Sequence, residues 1–320
     1  MSLIDVQGRQ FKSLRLSLTA ACNFTCGYCV PEGTTLRPPL NWLDDDSLIL
    51  CVRLLDRVLG LEKIRLTGGE PLIAPNLKAV LEGLSHIKIP TSITTNGQFL
   101  AKHAQALHDA GVTAVNVSLD ALDPAAFDAM AGGGDVDSVL AGIEASLALG
   151  QRIKMNTVPM RSKNIDQLAP LFDYCATRGI ELRFIELMRM GHLSDRTLFE
   201  KEFISEAEIV EILSVFGKAQ ELPRKAHSTS RSYQNPKGRF GFIANESAPF
   251  CGDCDRLRLT SDGQLFGCIS SALSQDIRPA LAMEEPDALA FLQEQLSMAL
   301  KVKQPVRFSG EQTIMQIIGG

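Results

Sequence analysis

The chain has 320 residues, 45% of them apolar, with a formal net charge of −5 and an isoelectric point near 5.6. That is enough apolar material for one large domain or a domain with an appendage, and the acidic balance excludes a general nucleic-acid or anionic-membrane surface. No apolar run approaches the roughly 20 residues of a membrane span, and the opening MSLIDVQGRQFKSLRLSL shows no charged leader with an apolar run and cleavage site, so the eight cysteines are expected in a reducing cytoplasm, where clusters of them usually bind metal.

Six short β-rich runs follow one another: LRLSL (14–18), KIRLT (63–67), TSITT (91–95), TAVNVSL (113–119), IKMNTV (153–158) and ELRFIEL (181–187). Longer segments with helical spacing separate them, among them 46–61 and 138–150. Strand then helix, repeated, predicts parallel strands joined by right-handed crossovers, as an open sheet or a curled one. Each strand run ends in chemically unusual residues: a cysteine cluster, TGGEP, TTNG, SLD, NTV and IELM. Ligands of parallel α/β proteins bind at the carboxyl ends of strands, so these ends are expected to form one site. Beyond about residue 200 the spacing predicts a helix over 205–216, a polar loop over LPRKAHSTSRSYQNPKGR, β-like segments RFGFI and DRLRLTSDGQLFGC, and a helix over 285–302. A boundary near 220 divides the expected domains, 1–220 and 221–320.

In ACNFTCGYCVPEG, residues 20–32, Cys22, Cys26 and Cys29 leave gaps of three and two residues. Three thiolates do not close a structural zinc site, although a fourth ligand from elsewhere would complete one. A [4Fe–4S] cluster on three cysteines leaves one iron open to a further ligand, which suits catalysis. A second trio, Cys251, Cys254 and Cys268, frames the segment FCGDCDRLRLTSDGQLFGC. SDGQ predicts a hairpin, with Asp262 and Gly263 at positive φ, that folds Cys268 back to the first pair. By period two, Arg256 and Arg258 share a face with Cys254, while Leu257 and Leu259 face the other way. A zinc knuckle with two surface arginines is the plainer reading of this segment; a second open cluster beside two guanidiniums that hold an anionic or hydrogen-bonding ligand is the sharper one.

The spacing Cys-x3-Cys-x2-Cys after a first strand, with Tyr28 before the third cysteine, resembles the radical S-adenosylmethionine superfamily. Together with the second trio, RFIELM and the terminal IGG, the chain is similar over essentially its whole length to the GTP 3′,8-cyclase family of molybdenum-cofactor biosynthesis. The resemblance implies an α/β fold, an incomplete (βα)6 TIM-like barrel whose open side a smaller C-terminal α+β region closes, commonly in a homodimer. It implies two [4Fe–4S] clusters, with S-adenosylmethionine chelated at the first through Cys22, Cys26 and Cys29, and contacted by Tyr28, Gly69 of the TGGEP turn, Ser118 and Met188. A deoxyadenosyl radical would take the ribose 3′ hydrogen of GTP, and the resulting carbon would attack C8 of guanine bound at the second cluster. Matching positions for GTP contact are Arg15, Arg65, Thr94, Lys154, Arg256, Leu257 (backbone) and Arg258, with Lys63 and Arg183 weaker. The final Gly319 and Gly320 match a tail that enters the active site. Implied partners are an electron donor such as flavodoxin or ferredoxin and, downstream, cyclic pyranopterin monophosphate synthase.

Independently of the resemblance, Arg15, Arg65 and Lys154 are charges within strands facing a buried site, a costly placement unless they meet an anion. The chain departs from many relatives at Ala20 and Ala21 before the first cysteine, at Ile73 to Asn76 after the glycine turn, and at Val30. Cys51 and Cys175 read as small core residues. Two alternatives compete: a peptide-modifying maturase with extra clusters, and a zinc- or iron–sulfur-binding scaffold that turns nothing over.

Overall fold

A computed structural model of the chain describes residues 3–31, 42–224 and 228–306. Strands β1 (Ser13–Ser17), β2 (Lys63–Thr67), β3 (Thr91–Thr95), β4 (Ala114–Ser118), β5 (Ile153–Thr157) and β6 (Glu181–Ile185) lie side by side in that order, all parallel. Helices α1 (Asp45–Leu59), α2 (Leu77–Ser85), α3 (Leu100–Asp109), α4 (Pro124–Ala131), α5 (Val136–Ala148) and α6 (Leu168–Thr177) make the crossovers. The first shows why such segments are helical. Asp44 caps α1 by accepting from Ser47 N, Leu48, Val52 and Leu55 form its buried stripe, and Gly60 ends it at φ 62°. Cys51 on α1 and Cys175 on α6 are buried in the apolar core, as their helical faces indicate.

The remaining strands extend this same sheet on both edges. After α7 (Arg196–Glu202) and α8 (Glu206–Ile212) come β7 (Gln220–Leu222), β8 (Arg231–Gln234) and β9 (Arg239–Ile243), and β9 pairs parallel with β6. Strand β10 (Arg256–Thr260) pairs parallel with β1 at the opposite edge, and β11 (Gln264–Phe266) and β12 (Ser274–Asp276) follow antiparallel, before α9 (Glu285–Leu300). The order among the described residues is therefore β12-β11-β10-β1-β2-β3-β4-β5-β6-β9-β8-β7, a partial barrel whose open edges are both built out by the C-terminal region. No helix of the described residues is long and apolar enough to cross a membrane.

Three details differ from the sequence reading. The polar stretch taken as a loop contains β8, whose residues Arg231 to Gln234 are all half-buried. It is held by its ladder to β9 and by Arg231 bonding Glu206 and Glu221. The helix expected over 205–216 is α8, opened by a reciprocal Ser205–Glu208 capping box, followed by a 3-10 turn over Leu213–Phe216. In the β10–β11 turn only Gly263 takes a positive φ, 79°, because Leu259 pairs with Leu265 and leaves a longer loop than the two-residue turn of the sequence reading.

An aromatic cluster fastens the added β9 edge to the barrel. Phe240 is fully buried and lies edge-on to Phe172 of α6 and Phe184 of β6, at centroid distances of 5.3 and 6.4 Å, and is stacked on Tyr233 at 5.5 Å. Truncating so enclosed a ring loses its transfer energy and leaves a cavity. Phe240→Ala is expected to destabilise the chain by about 3–5 kcal/mol in denaturant unfolding; a loss under about 1 kcal/mol would show that this edge does not unfold with the barrel.

Candidate functional site

The cavity of the barrel runs from one end of the strands to the other, and both cysteine trios line it. Cys22, Cys26 and Cys29 follow the carboxyl end of β1. Cys251 and Cys254 precede the amino end of β10, which is parallel to β1, so the second trio stands at the opposite end. The hairpin returns Cys268 to that end after β11, as its turn residues predicted. The length of β1, roughly 16 Å at 3.3 Å per residue, separates the two levels. The expectation of a site at the carboxyl ends alone is thus half the arrangement.

At the first trio the loop folds on the glycine turn. Gly69 N donates to Thr19 O at 2.7 Å and Glu70 N to Ala21 O at 2.9 Å. A Cβ on Gly68 would meet Thr19 O at 2.4 Å, and one on Gly69 would meet Ala21 O at 2.3 Å. Both glycines are thus required by the approach of the cysteine loop itself, besides lining the cavity. The loop then turns back through Cys29 N to Cys26 O, 2.8 Å. Cys26 is pushed well above the usual thiol value by burial first, then by Asp120, Cys29 and Cys22.

Buried carboxylates brace this end, each reaching from one strand end to the loop after the neighbouring strand. Glu70, after β2, accepts from Thr95 Oγ1 at 2.7 Å and Asn96 N at 2.6 Å after β3. Asp120, after β4, accepts from Val158 N at 2.7 Å after β5, and from Tyr28 Oη at 2.9 Å. Glu186, after β6, accepts from Glu246 N and Ser247 N after β9, each at 3.0 Å. Burial raises Glu70 to about 7 and Asp120 to about 6. Asn96 passes the bracing on, donating to Asn23 Oδ1 at 2.9 Å and lying 3.9 Å from Cys22 Sγ.

Between the trios lies a belt of positive charge. The register of β10, β1 and β2 sets Arg258, Arg15 and Arg65 in one row, facing the cavity. Arg256 and Arg183 line it too. Burial, then Arg258, Arg65 and Arg256, drives Arg15 well below its ordinary value. Arg65 falls to about 10 through burial, then Arg183 and Arg256, and Arg258 to about 10 through burial, then Arg256. Among the described residues, three buried polar atoms of the cavity wall have no hydrogen-bond partner: Arg183 Nε, Thr67 Oγ1 and Asn156 Oδ1. Orphans of this kind mark a place built for a ligand.

The sequence-predicted residues divide clearly. Tyr28, Gly69, Ser118, Met188, Thr94, Arg15, Arg65, Arg256, Arg258 and all six cluster cysteines line the cavity. Arg183, ranked as weaker, joins them, buried and bonded to Asn116 Oδ1 at 2.5 Å. One expected GTP contact does not. Lys154 sits one layer toward the amino ends and pairs with Glu181 at 3.2 Å, because Asn156, two residues on, takes its place at the wall. The Leu257 side chain is fully buried in the core on the opposite face of β10 from the arginines, which leaves only its backbone near the site. Lys63 is half-exposed and pairs with Asp255 at 2.7 Å. Gly319 and Gly320 lie outside the described residues. The sequence reading missed Arg9, Asn96, Asp120 and Lys303. Asp120 and Asn96 stand in the quoted strand-end motifs SLD and TTNG, whose odd residues were the available signal.

The donor sets suit iron–sulfur clusters. Among the described residues the cysteines of the trios form no disulfide and perturb one another, with Cys251 raised by burial and then by Cys268 and Cys254. Such mutual repulsion is relieved by a cationic core.

The family model described as Radical SAM superfamily matches residues 16–175, and that described as Molybdenum Cofactor Synthesis C matches 180–308. GTP 3′,8-cyclase of Xanthomonas campestris pv. campestris is 37% identical, covering 95% of this chain and 92% of its own length. GTP 3′,8-cyclase of a Synechococcus species is 40% identical over 88% of this chain and 87% of its own. Among solved structures, Streptococcus suis SuiB bound to S-adenosylmethionine superposes at a TM-score of 0.62 with 16% identity, over 85% of this chain and 64% of that one. Native anSMEcpe with bound AdoMet superposes at 0.55 with 16% identity, over 91% and 83%. These two share the fold. With relatives this similar over nearly its full length, and both family models matched along it, the chain belongs to the GTP 3′,8-cyclase family of the radical S-adenosylmethionine superfamily.

Proposed function

We propose that the barrel converts GTP to 3′,8-cyclo-7,8-dihydro-GTP, holding the nucleotide between its two cysteine trios. The observation that carries this reading is the in-register row Arg258, Arg15 and Arg65 within one cavity that both trios line. Cys22, Cys26 and Cys29 would hold the first cluster, and Cys251, Cys254 and Cys268 the second. The first cluster with S-adenosylmethionine supplies one-electron hydrogen abstraction from the ribose. The residues of the chain do the rest by position. Gly69, Ser118, Met188 and Tyr28 orient the cofactor, with Tyr28 pinned by its hydrogen bond to Asp120. The guanidiniums of the belt offer planar, bidentate donors to phosphate oxygens and the guanine edge. Arg183, with a buried N–H still to be satisfied, is added to the residues expected to meet the nucleotide. Lys154 and Lys63 act from behind this layer, through Glu181 and Asp255.

The division of the chain at residue 220, a flavodoxin- or ferredoxin-type electron donor, cyclic pyranopterin monophosphate synthase as the next enzyme, a homodimer and a cytoplasmic setting complete the reading. They rest on the resemblance and the sequence. The maturase alternative is disfavoured because such enzymes carry more cysteines than the three after residue 220. The direct test is anaerobic incubation of reconstituted protein with GTP, S-adenosylmethionine and reductant, with product identification by mass spectrometry. Failure to form a cyclised nucleotide with about eight irons bound per chain would overturn the reading.

Separate ends of the barrel imply separable roles. Cys26→Ala is expected to abolish S-adenosylmethionine cleavage, whereas Cys254→Ala keeps some uncoupled cleavage and loses GTP binding and cyclisation. Normal cyclisation by Cys254→Ala would remove the second trio from the site. A buried charged hydrogen bond is worth about 1.5–3 kcal/mol, so Arg258→Ala is expected to weaken GTP binding roughly 10- to 100-fold in calorimetry. Equal affinity of the unaltered chain for ATP and GTP would contradict guanine-edge recognition. Deleting Gly319 and Gly320 is expected to leave clusters, cofactor cleavage and GTP binding largely intact and to stop cyclisation. Parallel assay of 5′-deoxyadenosine and cyclised nucleotide decides it, and a full product yield would leave the two glycines without a role.

A further inference from the structure

We propose that Lys303 is a positioning residue for the C-terminal trio, holding Cys254 in place and supplying the fixed positive charge that sets the reduction potential of the cluster bound there. The inference rests on the reading that Cys251, Cys254 and Cys268 hold a [4Fe–4S] cluster. Lys303 follows α9 and is only 8% exposed. Its Nζ donates to Cys254 Sγ at 3.2 Å and to Arg256 O at 2.6 Å, and stands 4.9 Å from the centroid of the Phe11 ring. Among the described residues its partners are a sulfur, a carbonyl and an aromatic ring, with no carboxylate among them. A buried ammonium is costly without a counter-charge. Here the counter-charge available is the thiolate that a cluster requires.

The surrounding contacts show that this placement is enforced. Arg9 Nη1 donates to Cys251 O at 2.6 Å and to Gln304 O at 2.9 Å, tying the residue after Lys303 to the cysteine loop. Gln304 Nε2 reaches Ser270 Oγ at 3.4 Å, and that hydroxyl lies 3.1 Å from Cys268 Sγ. The segment 303–304 thus touches Cys254 directly and is linked to Cys251 through Arg9 and to Cys268 through Ser270. Hydrogen bonds to cluster sulfurs and local net charge are among the factors that set iron–sulfur potentials. Reduction adds a negative charge, so a buried cation against a ligating sulfur favours the reduced form.

The test uses the full chain carrying Cys22→Ala, Cys26→Ala and Cys29→Ala, so that iron can bind at the second trio alone. Lys303→Met, Lys303→Gln and Lys303→Arg are made in that background, reconstituted anaerobically, and titrated with the cluster signal followed by electron paramagnetic resonance. Lys303→Met is expected to shift the redox equilibrium about tenfold toward the oxidised form, a midpoint about 59 mV lower for one electron, and Lys303→Arg to restore most of it. If Lys303→Met retains no iron, the comparison is made with Lys303→Gln, which keeps an N–H donor without the charge and is expected to fall between. An unchanged midpoint at equal iron content overturns the inference and leaves the cluster assignment standing. A parent with Lys303 intact that binds no cubane overturns the assignment of the second trio itself, and the inference with it.

Discussion

Three guanidiniums on neighbouring strands of one sheet, facing a cavity, are an arrangement a protein does not adopt for its own stability. Like charges opposite one another across a strand pair are destabilising. Burial strengthens that repulsion, because the effective dielectric there is lower than that of water. The register that produces the row is set by the backbone ladder of β10, β1 and β2 and by the leucines on the other face of the same strands: Leu14 and Leu16, Leu66, and Leu257 and Leu259, all essentially unexposed. A slip of one residue would turn the arginines into the core and the leucines into the cavity. Apolar packing on one side of the sheet therefore holds a repulsive charge pattern on the other. A polyanion between the guanidiniums reverses the sign of the balance.

This makes the C-terminal region part of the barrel and not a lid upon it. Arg256 and Arg258 arrive on β10, which is laid against β1 as a further parallel strand, and β9 does the same at β6. The carboxylates at the strand ends extend the same logic. Glu70, Asp120 and Glu186 each satisfy backbone N–H groups of a loop one strand away, so loops that carry the cysteines and the cavity wall are fixed to each other by buried acceptors. Such groups are expensive to bury unless fully bonded, and they are bonded.

Much of this was legible in the residues. The six strand runs match β1 to β6 within two residues at either end, because short β-prone runs, several alternating apolar and polar residues with period two, stand out between helical periodicities. The cysteine trios and the hairpin that closes the second one were readable from spacing and turn chemistry. Strand β8 was not, since Arg231, Ser232, Tyr233 and Gln234 have the composition of a loop, and only pairing with β9 makes them a strand. Lys154 was misplaced by one layer: period two gives the face of a strand and not the height along it. Lys303 was invisible for a different reason. It lies 49 residues from Cys254 in a lysine- and glutamine-rich stretch, and nothing local distinguishes it from a solvated charge.

The same limit explains why Arg183 was ranked too low. Its strand neighbours suggest an ordinary strand end, whereas its burial beside Asn116 and the unpaired Nε place it among the belt arginines. Lys63 has Asp255 and Lys154 has Glu181, and neither lines the cavity. Among the described residues, the two acids that do line it, Asp120 and Glu186, are engaged by loop amides and hydroxyls. The cavity is then divided along the barrel, with a cysteine trio at each end and guanidiniums between.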